Sequence, residues 1–138
     1  MDRILGIDYG SSKIGLALSD PLKIIAKPFE TIDNISDEKS LEIICSMVDE
    51  YFISEIVIGL PITLKNSFSQ QTSIVKKFIE LLKEKLSIKI TIVDERLSSI
   101  EAKKSLIHQG VKTGHNKKEI DKTAAALFLQ SYLNTIEK

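Results

Sequence analysis

The chain has 138 residues, of which 43% are hydrophobic and 28% charged, so we expect one globular domain over residues 1–138 with a buried core. Its 19 basic and 19 acidic side chains balance to a formal net charge of zero, which argues against a protein that holds nucleic acid by bulk charge alone. No apolar run reaches the roughly 18 residues of a membrane span, and the N-terminus lacks the pattern of a signal peptide, so we expect a cytoplasmic protein with no membrane partner.

Three extended segments open the chain, and after them helices alternate with strands. The predicted strands are 3–9, 13–19, 26–32, 55–61 and 88–96, and the predicted helices are 37–52, 69–86, a helix starting near residue 99, and 118–136. Short connections between the first three strands favour antiparallel pairing, whereas strands separated by helices favour parallel pairing. The order therefore predicts an α/β fold with a mixed central sheet of about five strands, the first three antiparallel, and helices on both faces.

The first two long helices show apolar residues at helical spacing, which predicts their inward faces. For 37–52 the predicted face is Leu41, Ile44, Cys45, Val48 and Phe52, and for 69–86 it is Ile74, Phe78, Leu81 and Leu82. Cys45 is the single cysteine, so an internal disulfide and a cysteine-cluster metal site are excluded. Its place on the apolar side predicts a buried, reduced thiol rather than a nucleophile.

The stretch GIDYGSSKIG, residues 6–15, places Asp8 at the end of the first strand, directly before a glycine-rich turn. Such a turn suits two chemistries, cradling a nucleotide phosphate or holding a divalent metal against a nucleic acid. Asp94 and Glu95 lie at the end of the strand over 88–96. Since the carboxyl ends of parallel strands share one edge of a sheet, these acids and Asp8 would lie on the same rim.

Asp121 lies in the first turn of the last predicted helix, and Ala124, Ala125 and Phe128 follow it at spacings of three, four and seven. The four residues thus share one face, which we expect to be turned inward. Small alanines would let this helix approach the sheet closely and bring Asp121 towards Asp8. Each acid could instead serve only structure, by supporting a turn, pairing with a cation, or facing the positive end of the helix dipole.

A cluster of carboxylates repels itself unless a cation neutralises it, so convergence of these acids would indicate a metal site. Oxygen ligands without paired histidines or a cysteine cluster suit Mg²⁺ or Mn²⁺ rather than zinc. Two such ions about 4 Å apart stabilise the attacking and the leaving oxygen in phosphodiester cleavage, and the metal itself generates the hydroxide. No separate protein base is then required.

A local excess of positive charge precedes the last helix. Residues 103–122 hold six lysines and two acids, a surplus that suits contact with phosphates or, alternatively, a solvated surface. Arg96 could clamp a phosphate or pair with an acid, and His115 could be a plain loop residue or a proton shuttle. The candidate nucleic-acid-binding residues are Lys13, Arg96, Lys112, Lys117, Lys118 and Lys122.

Four segments occur in an order that resembles the YqgF/RuvX family of the ribonuclease H-like superfamily: LGIDYGSSKIGLALSD, IVIGLP, VDERLSSIEA and DKTAAALFLQSYL. The resemblance covers nearly the whole chain and implies a ribonuclease H-like fold and a Mg²⁺- or Mn²⁺-dependent phosphodiesterase. It places the family's first-strand acid on Asp8, its DER acids on Asp94 and Glu95, and its last-helix acid on Asp121. Related nucleases carry an acid after the fourth strand, where this chain has GLP, so Glu95 is expected to complete the metal ligands, with Asp94 as second choice.

The resemblance also implies a role in maturing the 5′ end of the precursor of 16S ribosomal RNA, with nucleic acid and ribosomal particles as partners. One alternative is a Holliday junction resolvase on branched DNA, which would act as a homodimer, whereas an RNA-trimming enzyme could be a monomer. Others are a non-catalytic RNA- or ribosome-binding factor, and a sugar-kinase or actin-like ATPase, which needs a second lobe. The loop after Pro61 departs from the family because it lacks glycine, although Asn66 can adopt the same left-handed backbone.

Overall fold

The computed structural model describes residues 2–60, 70–94 and 117–136, with residues 70–71 and 117–121 described by their backbone alone. The strands in these ranges are β1 (Arg3–Tyr9), β2 (Lys13–Ser19), β3 (Ala26–Asp33), β4 (Ile53–Leu60) and β5 (Lys89–Asp94), and the helices are α1 (Asp37–Glu50), α2 (Gln70–Lys85) and α3 (Lys117–Thr135). Every element predicted inside the described ranges is present. The helix predicted near residue 99 and the loop around Asn66 lie outside them.

The five strands form one sheet in the order β3-β2-β1-β4-β5. β1 pairs antiparallel with β2, and β2 pairs antiparallel with β3. β1 pairs parallel with β4, and β4 pairs parallel with β5, because a helix returns the chain before each of these strands. This mixed sheet confirms the predicted fold class, and pairing changes from antiparallel to parallel at the central strand, β1.

Alternation along the strands divides their side chains between two faces of the sheet. On one of them, which we call the α1–α2 face, residues such as Ile7 and Ile58 share a core with α1 and α2. On the other, the α3 face, residues such as Ile4 and Val57 share a core with α3. Helices therefore cover both faces, as predicted. Within the described ranges, no helix is long and apolar enough to span a membrane.

α1 begins at a side-chain cap and ends earlier than predicted. The Ser36 side chain accepts a hydrogen bond from the Lys39 N–H at 3.2 Å, which satisfies one of the unpaired donors of the first turn. The helix ends at Glu50, and Phe52 has a positive φ of 55° and is 70% exposed. The inward position predicted for Phe52 is wrong because the chain has already left helical geometry, and Met47 is buried on the inward face instead.

The inward face of α2 is also displaced from its predicted position. Its buried residues are Val75, Phe78, Ile79 and Leu82. Ile74 is 37% exposed, so its predicted burial is wrong, and Leu81 is only partly buried at the edge of the core. The apolar residues of this helix cover more than one stripe at helical spacing, and packing against the sheet selects which stripe is buried.

Cys45 packs against the core but is half-buried rather than fully buried as predicted. Burial raises the pKa of its thiol, an effect that the positive charge of Lys85 opposes only in part. A thiol with a raised pKa is mostly protonated at neutral pH and is a poor nucleophile. This agrees with the interpretation of Cys45 as a structural residue.

α3 packs on the sheet directly over Gly6 of β1. A Cβ atom at Gly6 would lie 3.0 Å from the Cβ of Leu129 and 3.2 Å from the carbonyl oxygen of Ala125, so a larger residue would press against the helix. Ala125 and Phe128 are buried, as predicted for the inward face, whereas Ala124 is half-buried. The close approach expected from the alanines of the helix therefore also depends on a glycine in the strand.

Gly6→Ala is expected to lower the free energy of unfolding by about 1–3 kcal/mol, because the added methyl group forces α3 away from β1. Urea denaturation followed by circular dichroism measures the change. Leu129→Ala removes a second close atom, Cδ2, which lies 3.2 Å from the Cβ position at residue 6. The double variant should therefore lose less stability than the two single variants together, and strictly additive losses would contradict this contact.

The connection between β2 and β3 is held by the Asp20 carboxylate. Its Oδ1 accepts hydrogen bonds from the backbone N–H groups of Ile24 at 2.7 Å and Ile25 at 2.9 Å. Burial acts to raise the pKa of this carboxyl, but the backbone donors outweigh burial and the pKa is lowered overall. Folding therefore favours the ionised form of Asp20.

The stabilisation by ionised Asp20 should be fully present above its unfolded-state pKa, near 3.8, and should be lost as the pH falls through the lower folded-state pKa. Asp20→Asn is therefore expected to reduce stability near pH 7 and to differ less from the wild type as the pH falls through this window. Chemical denaturation of both proteins at several pH values between about 7 and 2.5 measures the difference. A difference that does not change with pH would show that the charge of Asp20 contributes nothing.

Candidate functional site

Asp8 lies near the carboxyl end of β1, where it is half-buried. The neighbouring Tyr9 is buried in the core of the α1–α2 face. Because successive side chains of a strand point to opposite faces of the sheet, Asp8 lies on the α3 face. On that face Gly6 precedes Asp8, and Gly15 is its partner on β2. The register of β1 with β4, continued by one residue beyond the pair Ile7 and Ile58, puts Gly59 beside Asp8 on β4. These three glycines, which we call the glycine frame, have no side chains that compete with the Asp8 carboxylate for the space above the sheet.

The turn between β1 and β2 is held by hydrogen bonds from Asn34, which precedes α1 in the chain. Asn34 donates through Nδ2 to the carbonyl oxygen of Gly10 at 2.8 Å and through its N–H to that of Ser12 at 2.9 Å. The Tyr9 hydroxyl donates to the Asp37 carboxylate at 2.7 Å. Burial, and then this carboxylate, raise the pKa of Tyr9, so its phenol remains a donor. Sequence reasoning missed these supports because the partners are far apart along the chain.

Asp94 lies at the carboxyl end of β5, as predicted, but on the other face of the sheet from Asp8. It pairs with Leu60, which is buried in the core of the α1–α2 face. Paired residues of parallel strands point to the same side of a sheet, and Val93, one residue earlier, packs against the core of the α3 face. The strand geometry therefore separates Asp94 from Asp8 rather than bringing the two carboxylates together.

α3 runs along the α3 face with its N-terminal end towards Asp8. The carbonyl of Ala125 lies beside Gly6, while the side chain of Gln130 bonds to the first residue of β3, at the opposite end of the sheet. Residue 121 is one helical turn before Ala125, about 6 Å along the helix, and Asp8 is two residues beyond Gly6, about 6.6 Å along the strand. The backbone of α3 thus brings position 121 over the Asp8 end of the sheet.

The remaining candidate residues are only partly covered by the structure. Lys13 forms an ion pair with Asp33 on the neighbouring strand, and Lys122 is half-buried. Outside the described residues lie Glu95, Arg96, Lys112 and His115, together with the side chains of Lys117, Lys118 and Asp121. Within the part of the chain whose side chains are described, no three acidic, histidine or cysteine residues converge to hold a metal ion.

Comparison with known families and proteins gives a consistent result. The family model described as "RuvX: Holliday junction resolvase" matches residues 2–135. A protein of Desulforamulus reducens named "Putative pre-16S rRNA nuclease" is 41% identical over 133 residues, which cover 96% of this chain and 97% of that protein. A protein of the same name from Sulfurihydrogenibium sp. is 43% identical over 138 residues, which cover 99% of this chain and 92% of that protein.

Solved structures share the fold at low sequence identity. RuvC of T. thermophilus, in complex with a Holliday junction substrate, has a TM-score of 0.66 and 10% identity, and the match covers 99% of both chains. The Holliday junction resolvase of fowlpox virus has a TM-score of 0.56 and 16% identity, and the match covers 97% of this chain and 99% of that one. These structural likenesses confirm the ribonuclease H-like fold. The family model matches nearly the whole chain, and this protein therefore belongs to the RuvX family of nucleases.

Proposed function

We propose that this chain is a cytoplasmic, Mg²⁺- or Mn²⁺-dependent nuclease that matures the 5′ end of precursor 16S ribosomal RNA, with Asp8, Glu95 and Asp121 as metal ligands. The family match supports cleavage of nucleic acid. The relatives named as pre-16S ribosomal RNA nucleases, two of them 41% identical to this chain, support the RNA substrate.

The observation that carries the proposal is the position of Asp8. Its carboxylate lies at the carboxyl end of the central strand, on the face covered by α3, and the glycine frame surrounds it. The first turn of α3, which contains Asp121, lies over the same end of the sheet. Carboxylate oxygens are the ligands that suit a hard divalent cation such as Mg²⁺ or Mn²⁺.

Of the two acids at the end of β5, Glu95 is the better candidate for this site. Asp94 belongs to the α1–α2 face through its pairing with Leu60. The sequence predicts a strand that continues to residue 96, and alternation along it would direct the side chain after Asp94 to the other face, which is that of Asp8. The strand register therefore supports the choice of Glu95 on grounds that are independent of the family resemblance.

When bound, divalent ions would supply a hydroxide nucleophile and neutralise the charge that develops on the leaving oxygen. The chain's own residues would hold and orient the site. Pairing of β1 with strands on both sides fixes the backbone of Asp8, and Asn34 fixes the turn that follows it. The glycine frame would let a phosphate backbone come close to the carboxylates, and the lysines at the start of α3 would contact phosphates.

A second candidate function is the resolution of branched DNA. The family description names a Holliday junction resolvase, and the structure of RuvC with its junction shares the fold over 99% of both chains. Resolution requires two symmetric cuts and hence a dimer, whereas an RNA-trimming enzyme can act as a monomer. The oligomeric state and the preferred substrate therefore need to be measured together.

The central test is a cleavage assay with Mn²⁺ on precursor 16S ribosomal RNA and, in parallel, on a four-way DNA junction. We expect 5′-end cleavage of the RNA and little cleavage of the junction. Asp8→Asn and Asp121→Asn should each lower kcat/KM by roughly a hundredfold or more, because each removes several kcal/mol of charge stabilisation. Undiminished cleavage in both variants would refute the metal-site assignment, and binding without cleavage by the wild type would indicate a non-catalytic RNA-binding factor.

Asp94, the last residue of β5, and Glu95, the next residue in the sequence, provide a matched pair for the same assay. Glu95→Gln is expected to reduce cleavage about as severely as Asp8→Asn, since both remove a proposed metal ligand. Asp94→Asn should reduce cleavage far less, because Asp94 lies on the α1–α2 face. The reverse order of effects would assign the metal ligand to Asp94.

Lys117 and Lys118 are expected to contact phosphates of the RNA. Replacing both by alanine should weaken RNA binding for all sequences and reduce the slope of log affinity against log salt by about one for each lost phosphate contact. Fluorescence anisotropy at several salt concentrations measures this slope. The control is Lys77→Ala with Lys83→Ala, which removes the same charge from exposed positions of α2 on the other face of the sheet. An equal effect of the control would indicate bulk charge rather than a local contact.

A further inference from the structure

Gln130 is 2% exposed, and its side chain joins α3 to the backbone that enters β3. Its Oε1 accepts a hydrogen bond from the Ala26 N–H at 2.8 Å. Its Nε2 donates to the carbonyl oxygen of Ile24 at 2.9 Å and to the side chain of Asn134 at 3.1 Å. The buried amide of Gln130 thus pairs with a backbone N–H and a backbone carbonyl of the segment that enters β3. Leaving these two backbone groups buried and unpaired would cost free energy.

Tyr132 makes a comparable connection on the other flank of the helix. Its hydroxyl donates to Oε2 of Glu55 on β4 at 2.6 Å, and the hydroxyl of Thr91 on β5 donates to the same oxygen at 2.6 Å. The Glu55 side chain is only 14% exposed, and the Lys89 ammonium lies 3.9 Å from Oε2. Burial, and then the hydrogen bond to Glu55, raise the pKa of Tyr132, so its hydroxyl stays a donor. We call Gln130 and Tyr132 the α3 anchors.

Between its two flanks, α3 packs on the sheet through a set of apolar residues. Ala125, Ala126 and Leu129 pack over the sheet, and Gly6 lies beneath them. Apolar contacts of this kind favour burial but have no preferred direction, so they do not by themselves fix how far the helix is turned about its axis. Hydrogen bonds weaken steeply when they are misaligned. The anchors, on opposite flanks of α3, therefore define both its rotation and its position along the sheet.

We propose that the α3 anchors are positioning residues for the cleavage reaction. Through the rigid helix they set the place of Asp121 relative to Asp8, although Gln130 is nine residues, or about 13 Å, from Asp121 along the helix. The inference rests on the proposed function, because it takes Asp8 and Asp121 as ligands of one metal site. The anchors are buried at the opposite end of the sheet from the proposed metal site. We expect the loss of either anchor to change the affinity of that site for its metal.

The test is the affinity of the intact protein for Mn²⁺ alone, measured from the electron paramagnetic resonance signal of free Mn²⁺. Gln130→Met removes the hydrogen bonds of one anchor while keeping the length of the side chain, and Tyr132→Phe removes only the hydroxyl of the other. Gln130→Met is expected to raise the dissociation constant about three- to thirtyfold. Tyr132→Phe should change it in the same direction, and this milder variant provides the test if Gln130→Met does not fold.

Ile44→Val is the matched control, since it weakens the core of the α1–α2 face, away from α3, and leaves both anchors intact. It should lose stability yet bind Mn²⁺ like the wild type, which separates positioning from stability. Asp8→Asn tests the metal site itself. If Asp8→Asn loses Mn²⁺ binding while both folded anchor variants keep the wild-type affinity, the positioning role is overturned and the proposed function stands. If Asp8→Asn binds Mn²⁺ like the wild type, the proposed function and the inference built on it both fail.

Discussion

The close contact between β1 and α3 is the constraint on which the rest of this structure depends. At Gly6 a side chain would be crowded between the strand and the helix, because its Cβ would lie 3.0 Å from the Cβ of Leu129 and 3.2 Å from the carbonyl oxygen of Ala125. Helix and strand can therefore approach until their backbones are nearly in contact. That approach would allow Asp121 on the helix and Asp8 on the strand to serve the metal site that we propose, since carboxylate side chains are short. A larger residue at this position would move the helix that carries Asp121.

The side chains on the two faces of the sheet make different kinds of contact with the helices. The α1–α2 face is a continuous apolar core, built from large side chains such as Ile7, Ile58 and Phe78. The α3 face combines large apolar residues such as Ile4 and Leu129 with several alanines and with buried polar groups, among them Gln130, which is 2% exposed. The first face supplies most of the hydrophobic stabilisation, which is proportional to buried apolar area but has no direction. The second contributes directional contacts, and we infer that these contacts set the geometry of the proposed metal site.

Most of the fold could be predicted because the period of the apolar residues changes clearly from two in the strands to about 3.6 in the helices. The exact buried face of each helix and the face on which each strand-end acid lies could not be predicted. The helical pattern of α2 allows more than one buried stripe, and only packing against the sheet shows that Val75 is buried while Ile74 is exposed. Sequence placed Asp94 at the correct strand end, but the face on which it lies depends on the register with Leu60, which the pairing of distant strands sets.

The order of β1 and α3 along the chain has a consequence for the timing of activity. β1 is translated before the other four strands of the sheet, whereas α3 is translated after all five. A chain still emerging from the ribosome therefore carries Asp8 without the helix that is to lie over it. Contacts between such distant segments also form late in folding, because a long loop must close first. If Asp8 and Asp121 are both metal ligands, as we propose, the metal site is complete only after α3 has been synthesised.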